Sequence, residues 1–336
     1  MIESWIMYKN QNGYWKENAT NLLKTIIISG SKDEVARKLE ATFFYSIFDR
    51  NHENVQIGVG SKIWIVLDGK EIFRGIVWER ELNSHQELVI MAYDYLIYLL
   101  KSSVTFNFKN ILAEDAVKKI ITELGLQCGN MPETGIRINR LIQDKTAYEA
   151  IMEVLTQVSK QNGKQYIPVC DGTKVSIIEK GATVVDYELT CINAFQKDND
   201  VGNVINTSYK DTMENMVGRV KIYDDKGNYL SKVENSSLFE YYGIIQKTYQ
   251  KEEDKNPTQV AGNMLHGADQ ECSIEALGNW ECRTGYAIKT KIFYIDSLQN
   301  GLLYIDGDTH IWEMGSNKYT MTLDLSYKNE MDSKED

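Results

Sequence analysis

Asp306, Asp308 and His310 stand at alternate positions near the end of the chain. On one extended strand they would share a face, because strand side chains alternate with a period of two. A metal site built on them would need further ligands and an open coordination position. The competing reading, and the stronger one, makes Asp306-Gly307-Asp308 the turn between strands at 301–305 and 309–314. Glu271, Glu275 and Glu281 could supply the paired carboxylates of a glycosidase. They alternate with Cys272, Ile274, Ala276 and Cys282, which is the pattern of a strand with one solvated face. Gly58-Val59-Gly60-Ser61-Lys62 contains Gly-x-Gly and a lysine, yet a strand follows it, so no helix N-terminus would point at a phosphate. There is no Gly-x-Ser-x-Gly elbow and no His-Glu-x-x-His. His52, His85, His266 and His310 are scattered. Trp5, Tyr8, Tyr14 and Trp15 could form a sugar-binding face, an assembly surface or an ordinary strand face. No catalytic, cofactor-binding or metal-binding residue is proposed by these patterns, and the expectation is a protein that is not an enzyme.

The elements that would carry these residues read as mostly strands. Residues 22–28 predict a strand. Ser31-Lys32-Asp33-Glu34 has the form of a capping box, and Val35, Leu39 and Phe43 then predict a helix. Lys62 to Leu67, Asp68-Gly69 and Ile72 to Trp78 predict a hairpin, since Asp-Gly tolerates the positive φ of a tight turn. Glu87 to Tyr93 adds a strand. Leu112 to Leu124 carries a helical apolar stripe ended by Gly125, and Thr146-Ala147-Tyr148-Glu149 caps a second helix that stops before Gly163. A hairpin follows around Asp171-Gly172. From about 200 the chain is rich in strands again, with a hairpin at 217–233, a short helix behind Asn256-Pro257, and strands near 271–277, 286–295 and 319–327. The expected division is 1–105 as a first antiparallel barrel-like domain, 106–200 as a small α+β domain and connection, 201–328 as a second barrel-like domain, and 329–336 as a charged disordered tail.

Composition bounds the function. The chain has 336 residues, 37 basic and 48 acidic, with a net charge of −11. An acidic chain gains little from neutralising phosphates, which argues against specific nucleic-acid binding. Hydrophobic residues at 43% supply enough apolar surface for real cores and exclude a disordered chain. The five cysteines, Cys128, Cys170, Cys191, Cys272 and Cys282, form no Cys-x-x-Cys pair, which excludes zinc-ribbon and thioredoxin-like motifs. Cys272 and Cys282 flank a predicted hairpin and could face each other. The first residues carry no basic segment followed by an apolar one, and no apolar run approaches the ~20 residues of a membrane span. The expectation is a soluble chain made in a cytoplasm, with no membrane anchor.

The order of these features resembles the baseplate hub family of contractile phage tails and phage-tail-like bacteriocins, the XkdQ/YqbQ type. Ser29-Gly30-Ser31 through Arg37-Lys38-Leu39 is similar to the family's opening "SG…A-R-K-L". Gly60 to Trp64 through Asp68-Gly69 to Val77 is similar to its hairpin. Ala92-Tyr93-Asp94-Tyr95-Leu96 is similar to its "A-Y-D…Y-L", and Asp144 to Ile151 to its "d-k-T-l-y-e-i-i". Tyr304 to His310 followed by Tyr319 to Leu325 resembles its closing "y-x-I…d-x-H…Y-t-M-x-L-x-L". The pattern departs from the family at Trp280-Glu281-Cys282-Arg283-Thr284. The resemblance implies two tube-like β-barrels flanking an α+β domain in a structural hub. It implies a homotrimer presenting six barrels, so that a sixfold tail tube protein meets a threefold central spike protein, with other baseplate proteins around it. An acidic lumen in such a ring would not hold passing DNA by phosphate attraction.

Overall fold

The computed structural model describes residues 1–10, 13–49, 51–191, 202–252 and 256–334. The protein is mainly β with a small α+β part, as its periodicities predict. It forms two compact units, residues 1–207 with 273–336, and residues 208–272.

The first unit opens with β1 (Ile2–Asn10), β2 (Gly13–Asn18), β3 (Leu23–Ser31), β4 (Lys38–Phe44), β5 (Lys62–Leu67), β6 (Lys70–Asn83) and β7 (Glu87–Tyr93). β5 and β6 form the expected hairpin, with Asp68 at φ 49° and Gly69 at φ 80° in the left-handed region its turn requires. β1 pairs with the other side of β5, which makes β5 an interior strand. The helix expected after Ser31 is absent. Leu39, Ala41 and Phe43 are buried on alternate positions of β4. A spacing of four satisfies a period of two as well as a helical one, and Val35, Leu39 and Phe43 could not separate them. Ser31 does act on the following backbone, but it closes a local turn in which the Asp33 amide donates to Ser31 Oγ at 3.2 Å.

Next come α1 (Ile97–Lys101), β8 (Ser103–Leu112), α2 (Ala113–Glu123), β9 (Gln127–Cys128), β10 (Arg137–Thr146), α3 (Ala147–Asn162), β11 (Tyr166–Asp171) and β12 (Lys174–Glu179). The Thr146–Glu149 capping box is complete, and Gly163 ends α3 at φ 73°. α2 and α3 bury Val117, Ile120, Ile151, Leu155 and Val158 against Ile138 and Ile142 of β10. Each such side chain contributes about 1.5–3 kcal/mol.

The remaining elements are β13 (Val184–Cys191), β14 (Val204–Thr212), β15 (Arg219–Tyr223), β16 (Tyr229–Glu234), α4 (Phe239–Tyr242), β17 (Gln246–Gln250), α5 (Pro257–Asn263), β18 (Asp269–Leu277), β19 (Ala287–Ile292), β20 (Gly301–Glu313) and β21 (Lys318–Ser326). In the second unit β15 pairs with β16 and β17, and Val220, Ile222 and Tyr249 pack on Ala261 of α5. Asn256 caps α5 as predicted, accepting from the Thr258 and Gln259 amides.

β20 corrects the turn reading of Asp306-Gly307-Asp308. It is one strand of 13 residues, with a register shift against β21 between Ile305 and Gly307. Asp306 is therefore a bulged residue. The bulge switches the buried face from Leu303, Ile305 and Gly307 to Asp308, His310 and Trp312. Beyond it, β20 pairs with β3 from Gly307↔Ser31 to Glu313↔Thr25. The strand order runs β18-β21-β20-β3-β4-β7-β6-β5-β1-β2. Strands from the two ends of the sequence thus adjoin in one sheet.

The tail is a second correction. Residues 329–334 are held rather than disordered. The Met331 amide donates to Gln165 Oε1 at 3.0 Å, the Lys334 amide donates to Thr156 Oγ1 at 3.1 Å, and Tyr148 donates to Asp332 Oδ2 at 2.8 Å. Residues 335 and 336 lie outside the described residues. No helix among the described residues is long and apolar enough to cross a membrane.

Candidate functional site

Three segments far apart in sequence meet at Arg37. It lies between β3 and β4 in the turn that replaced the expected helix. Its Nη1 donates to Asp308 Oδ1 at 2.9 Å, and its Nη2 donates to Asp308 Oδ2, so the pair is bidentate. The Arg37 side chain is 15% exposed and that of Asp308 is 0% exposed. Thr284 adds its backbone amide and its hydroxyl to Asp308 Oδ1, both at 2.7 Å. Burial alone would raise the Asp308 carboxyl, but the Arg37 charge and the bonds from His310 and Arg37 reverse this and hold it well below the usual carboxylate range.

His310 is buried one pleat further along β20. Its Nε2 donates to the Cys282 carbonyl at 3.0 Å and lies 3.3 Å from Asp308 Oδ2, while Nδ1 is 2.9 Å from the Tyr319 hydroxyl. Its ring packs against Trp280 and Trp312, with centroids 4.9 and 5.9 Å away. Trp312 stacks on Tyr319 at 4.3 Å. Gly278 is required here, since a Cβ would sit 2.3 Å from the Tyr319 ring.

The three candidate residues Asp306, Asp308 and His310 are thus divided. Asp308 and His310 share a cluster, but the bulge gives Asp306 other partners, Lys32 at 2.6 Å and Lys180 at 2.7 Å. Both sets are salt-bridge clusters, and no metal-binding group of His, Cys, Asp and Glu occurs among the described residues. Buried cations and carboxylates that satisfy one another clamp chain segments together. They fix β20 against β3 and the 280–284 loop against both.

Asp94, just after β7, borders the same region. Its Oδ1 accepts from the Leu96 amide at 3.0 Å and its own amide donates to the Arg37 carbonyl at 3.1 Å. The carboxyl is raised to about 7 because burial disfavours its charge, more than the Leu96 and Arg37 amides and the Arg37 charge favour it. The folded state holds this proton between about pH 4 and pH 7 while the unfolded chain does not, so stability should fall as pH rises through that window. Asp94→Asn should flatten the profile and stabilise the protein at pH 8 by up to about 4 kcal/mol relative to its effect at pH 4. Urea midpoints of both proteins across this range test it, and parallel profiles would refute it.

A cavity of about 310 Å³ lies beside Arg37 and Asp94, bordered also by Arg74, Cys170, Trp280 and Arg283. Arg74 is paired with Glu71. Burial, with the Asp94 charge nearby, pushes the Cys170 thiol well above its usual range, so it is no thiolate nucleophile at neutral pH.

The other predicted residues stand apart from this region or serve it differently. Glu271 pairs with Lys210 and Glu281 with Lys70, each at 3.1 Å and each well exposed. Cys272, Ile274 and Ala276 are buried between the glutamates of β18, as a half-solvated strand predicts. Gly58 to Ser61 form a turn closed by the Ser61 amide on the Gly58 carbonyl at 3.0 Å, and β5 follows it. His52 packs edge-on against Phe44, and His266 is paired with Asp269. Trp5 stacks on Trp64 at 6.5 Å, Trp15 pairs across from Tyr8, and Tyr14 and Trp15 are 70% and 51% exposed. Cys272 and Cys282 are both buried and are not joined by a disulfide; residues 278–286 between β18 and β19 form a loop rather than a hairpin. Sequence patterns missed Arg37, Asp94, Arg283 and Thr284 as members of one region. Arg37, Asp94 and His310 do sit in the similar stretches around "A-R-K-L", "A-Y-D" and "d-x-H".

A family described as YQBQ-like matches residues 26–326. The phage-like element PBSX protein XkdQ of Bacillus subtilis (strain 168) is 26% identical over 331 residues, covering 92% of this chain and 93% of that protein. Two solved structures share the fold over 96% of both chains. One is the prophage MuSo2 43 kDa tail protein of Shewanella oneidensis, at TM-score 0.67 and 10% identity. The other is the tail protein of Neisseria meningitidis MC58, at TM-score 0.60 and 14% identity.

Proposed function

Since the chain belongs to the YQBQ-like family, we propose that it is a structural protein of a phage-like tail, acting as the baseplate hub. The observation that supports this best is that the likeness to tail proteins runs through the whole chain and not through one detachable domain. The buried cluster agrees in kind. Arg37, Asp308, Thr284 and His310 spend most of their polar groups on one another and on Cys282 and Tyr319 beside them, which suits a rigid building block.

In this reading three copies close into a ring whose repeated β-rich parts present sixfold quasi-symmetry to a tail tube protein and threefold symmetry to a central spike protein. Other baseplate proteins surround it, and the particle is a phage tail or a bacteriocin assembled in a bacterial cytoplasm. The activity is geometric, with no chemical step. Native mass measured over a range of concentrations tests it. A species of about three times 38.6 kDa is expected, alone or after addition of the spike protein, because closed threefold rings are an uncommon choice for ordinary soluble enzymes. A chain that stays monomeric with both tube and spike proteins present would overturn the hub reading. Turnover of purified cell wall by the isolated chain would overturn its purely structural form.

A further inference from the structure

A buried carboxyl group and a guanidinium, each with a polar atom left without a partner, border the 310 Å³ cavity. Asp94 is 3% exposed, and its Oδ2 accepts no hydrogen bond. Arg283 has no carboxylate partner among the described residues. Its Nη2 donates to the Tyr286 hydroxyl at 3.0 Å, and its Nε is buried without a hydrogen bond. Its guanidinium is held over the rings of Tyr286 and Trp280, 5.2 and 5.7 Å from their centroids. The other cations of the wall differ in this respect: Arg37 is paired with Asp308, Arg74 with Glu71 and Lys70 with Glu281. Phe73, Leu96 and Ile167 supply an apolar side to the same space.

A buried carboxyl oxygen without a hydrogen-bond partner is costly, and a cavity of this size lies at the lower end of those that hold small ligands. We propose that the cavity binds a small zwitterion, a free α-amino acid with an apolar side chain. Arg283 takes its carboxylate, Asp94 its ammonium group, and the Phe73–Leu96–Ile167 wall its side chain. The ligand joins the strand end after β7, the β11–β12 hairpin and the 280–286 loop, and so stiffens the first unit. This inference does not depend on the tail reading, because the site lies within one chain.

Calorimetric titration of the full chain with L-leucine, L-valine, L-methionine and L-phenylalanine tests it. At least one is expected to bind with one site per chain. Isocaproate, which lacks the ammonium group of leucine, and isoamylamine, which lacks the carboxylate, are expected to bind at least about tenfold more weakly than leucine. Asp94→Asn should abolish the preference for leucine over isocaproate. Arg283→Gln should abolish the preference for leucine over isoamylamine, and Arg283→Lys should restore part of it. The analogues need no variant, so misfolding of either variant leaves the test intact. Absence of binding by all four amino acids at about 10 mM overturns the proposal. So does equal binding of leucine and its two analogues, or a crystal structure grown with leucine in which only ordered waters bridge Asp94 and Arg283.

Discussion

Asp308→Ala should destabilise the protein by about 3–5 kcal/mol, because it strands the Arg37 guanidinium in a mostly buried site. Asp308 accepts from both Arg37 nitrogens, from the Thr284 amide and from the Thr284 hydroxyl. Alanine removes all of these at once and leaves the donors without an acceptor. The loss is of satisfaction more than of attraction. A paired replacement, Arg37→Met with Asp308→Leu, should therefore cost less than Asp308→Ala alone, since no charge is left behind. Urea unfolding of the three proteins at neutral pH measures this. The ordering fails if the double variant is the least stable. The pH dependence has a fixed sign. A carboxyl depressed in the folded state contributes its stability above the ordinary carboxylate range, and loses it as pH falls through its own lower value. The deficit of Asp308→Ala should be complete above about pH 4 and shrink below it.

Ile65→Pro should abolish the native fold. Ile65 is fully buried and interior to the sheet, opposite Ser4 of β1 and Phe73 of β6. Proline cannot donate to the ladder and is tolerated in sheets at edges and in bulged strands; β5 is an interior strand, and the bulge beside this position puts its extra residue, Ile72, in β6 rather than in β5. A lost ladder bond, a ring forced between two paired neighbours and a smaller apolar side chain together exceed about 3 kcal/mol. Ile65→Val is the control and should cost about 0.5–1.5 kcal/mol. Far-ultraviolet circular dichroism and urea midpoints distinguish the outcomes. A proline variant as stable as the valine variant would mean that β5 is not an interior strand.

Much of the fold was legible because its signals were local. Asp68-Gly69, the Thr146–Glu149 box and Asn256-Pro257 each act on the few residues around them, and each was recovered. The β4 strand was misread because Val35, Leu39 and Phe43 fit both periods, and only Ala41 between them favours the strand. The bulge at Asp306 was hidden for a different reason. Gly between two Asp is also turn composition, and only the pairing with β3 and β21 shows that the chain goes straight on. Of the buried cluster, only the shared face of Asp308 and His310 could be read from spacing. Arg37 and Asp308 are 271 residues apart, and Thr284 lies in the one stretch where the family pattern departs.

That separation bears on how the protein is made. β3 is paired on one side by β4 but waits for β20 on the other. A ribosome adding ~5–20 residues per second needs roughly 15–50 s to traverse the intervening chain. Throughout that interval the apolar edge of β3, through Ile26 and Ile28, faces solvent with its ladder groups open, the condition under which strands join the wrong neighbour. The nascent chain should therefore be slow to mature, depend on holding chaperones, and be most prone to aggregate when truncated before Gly301.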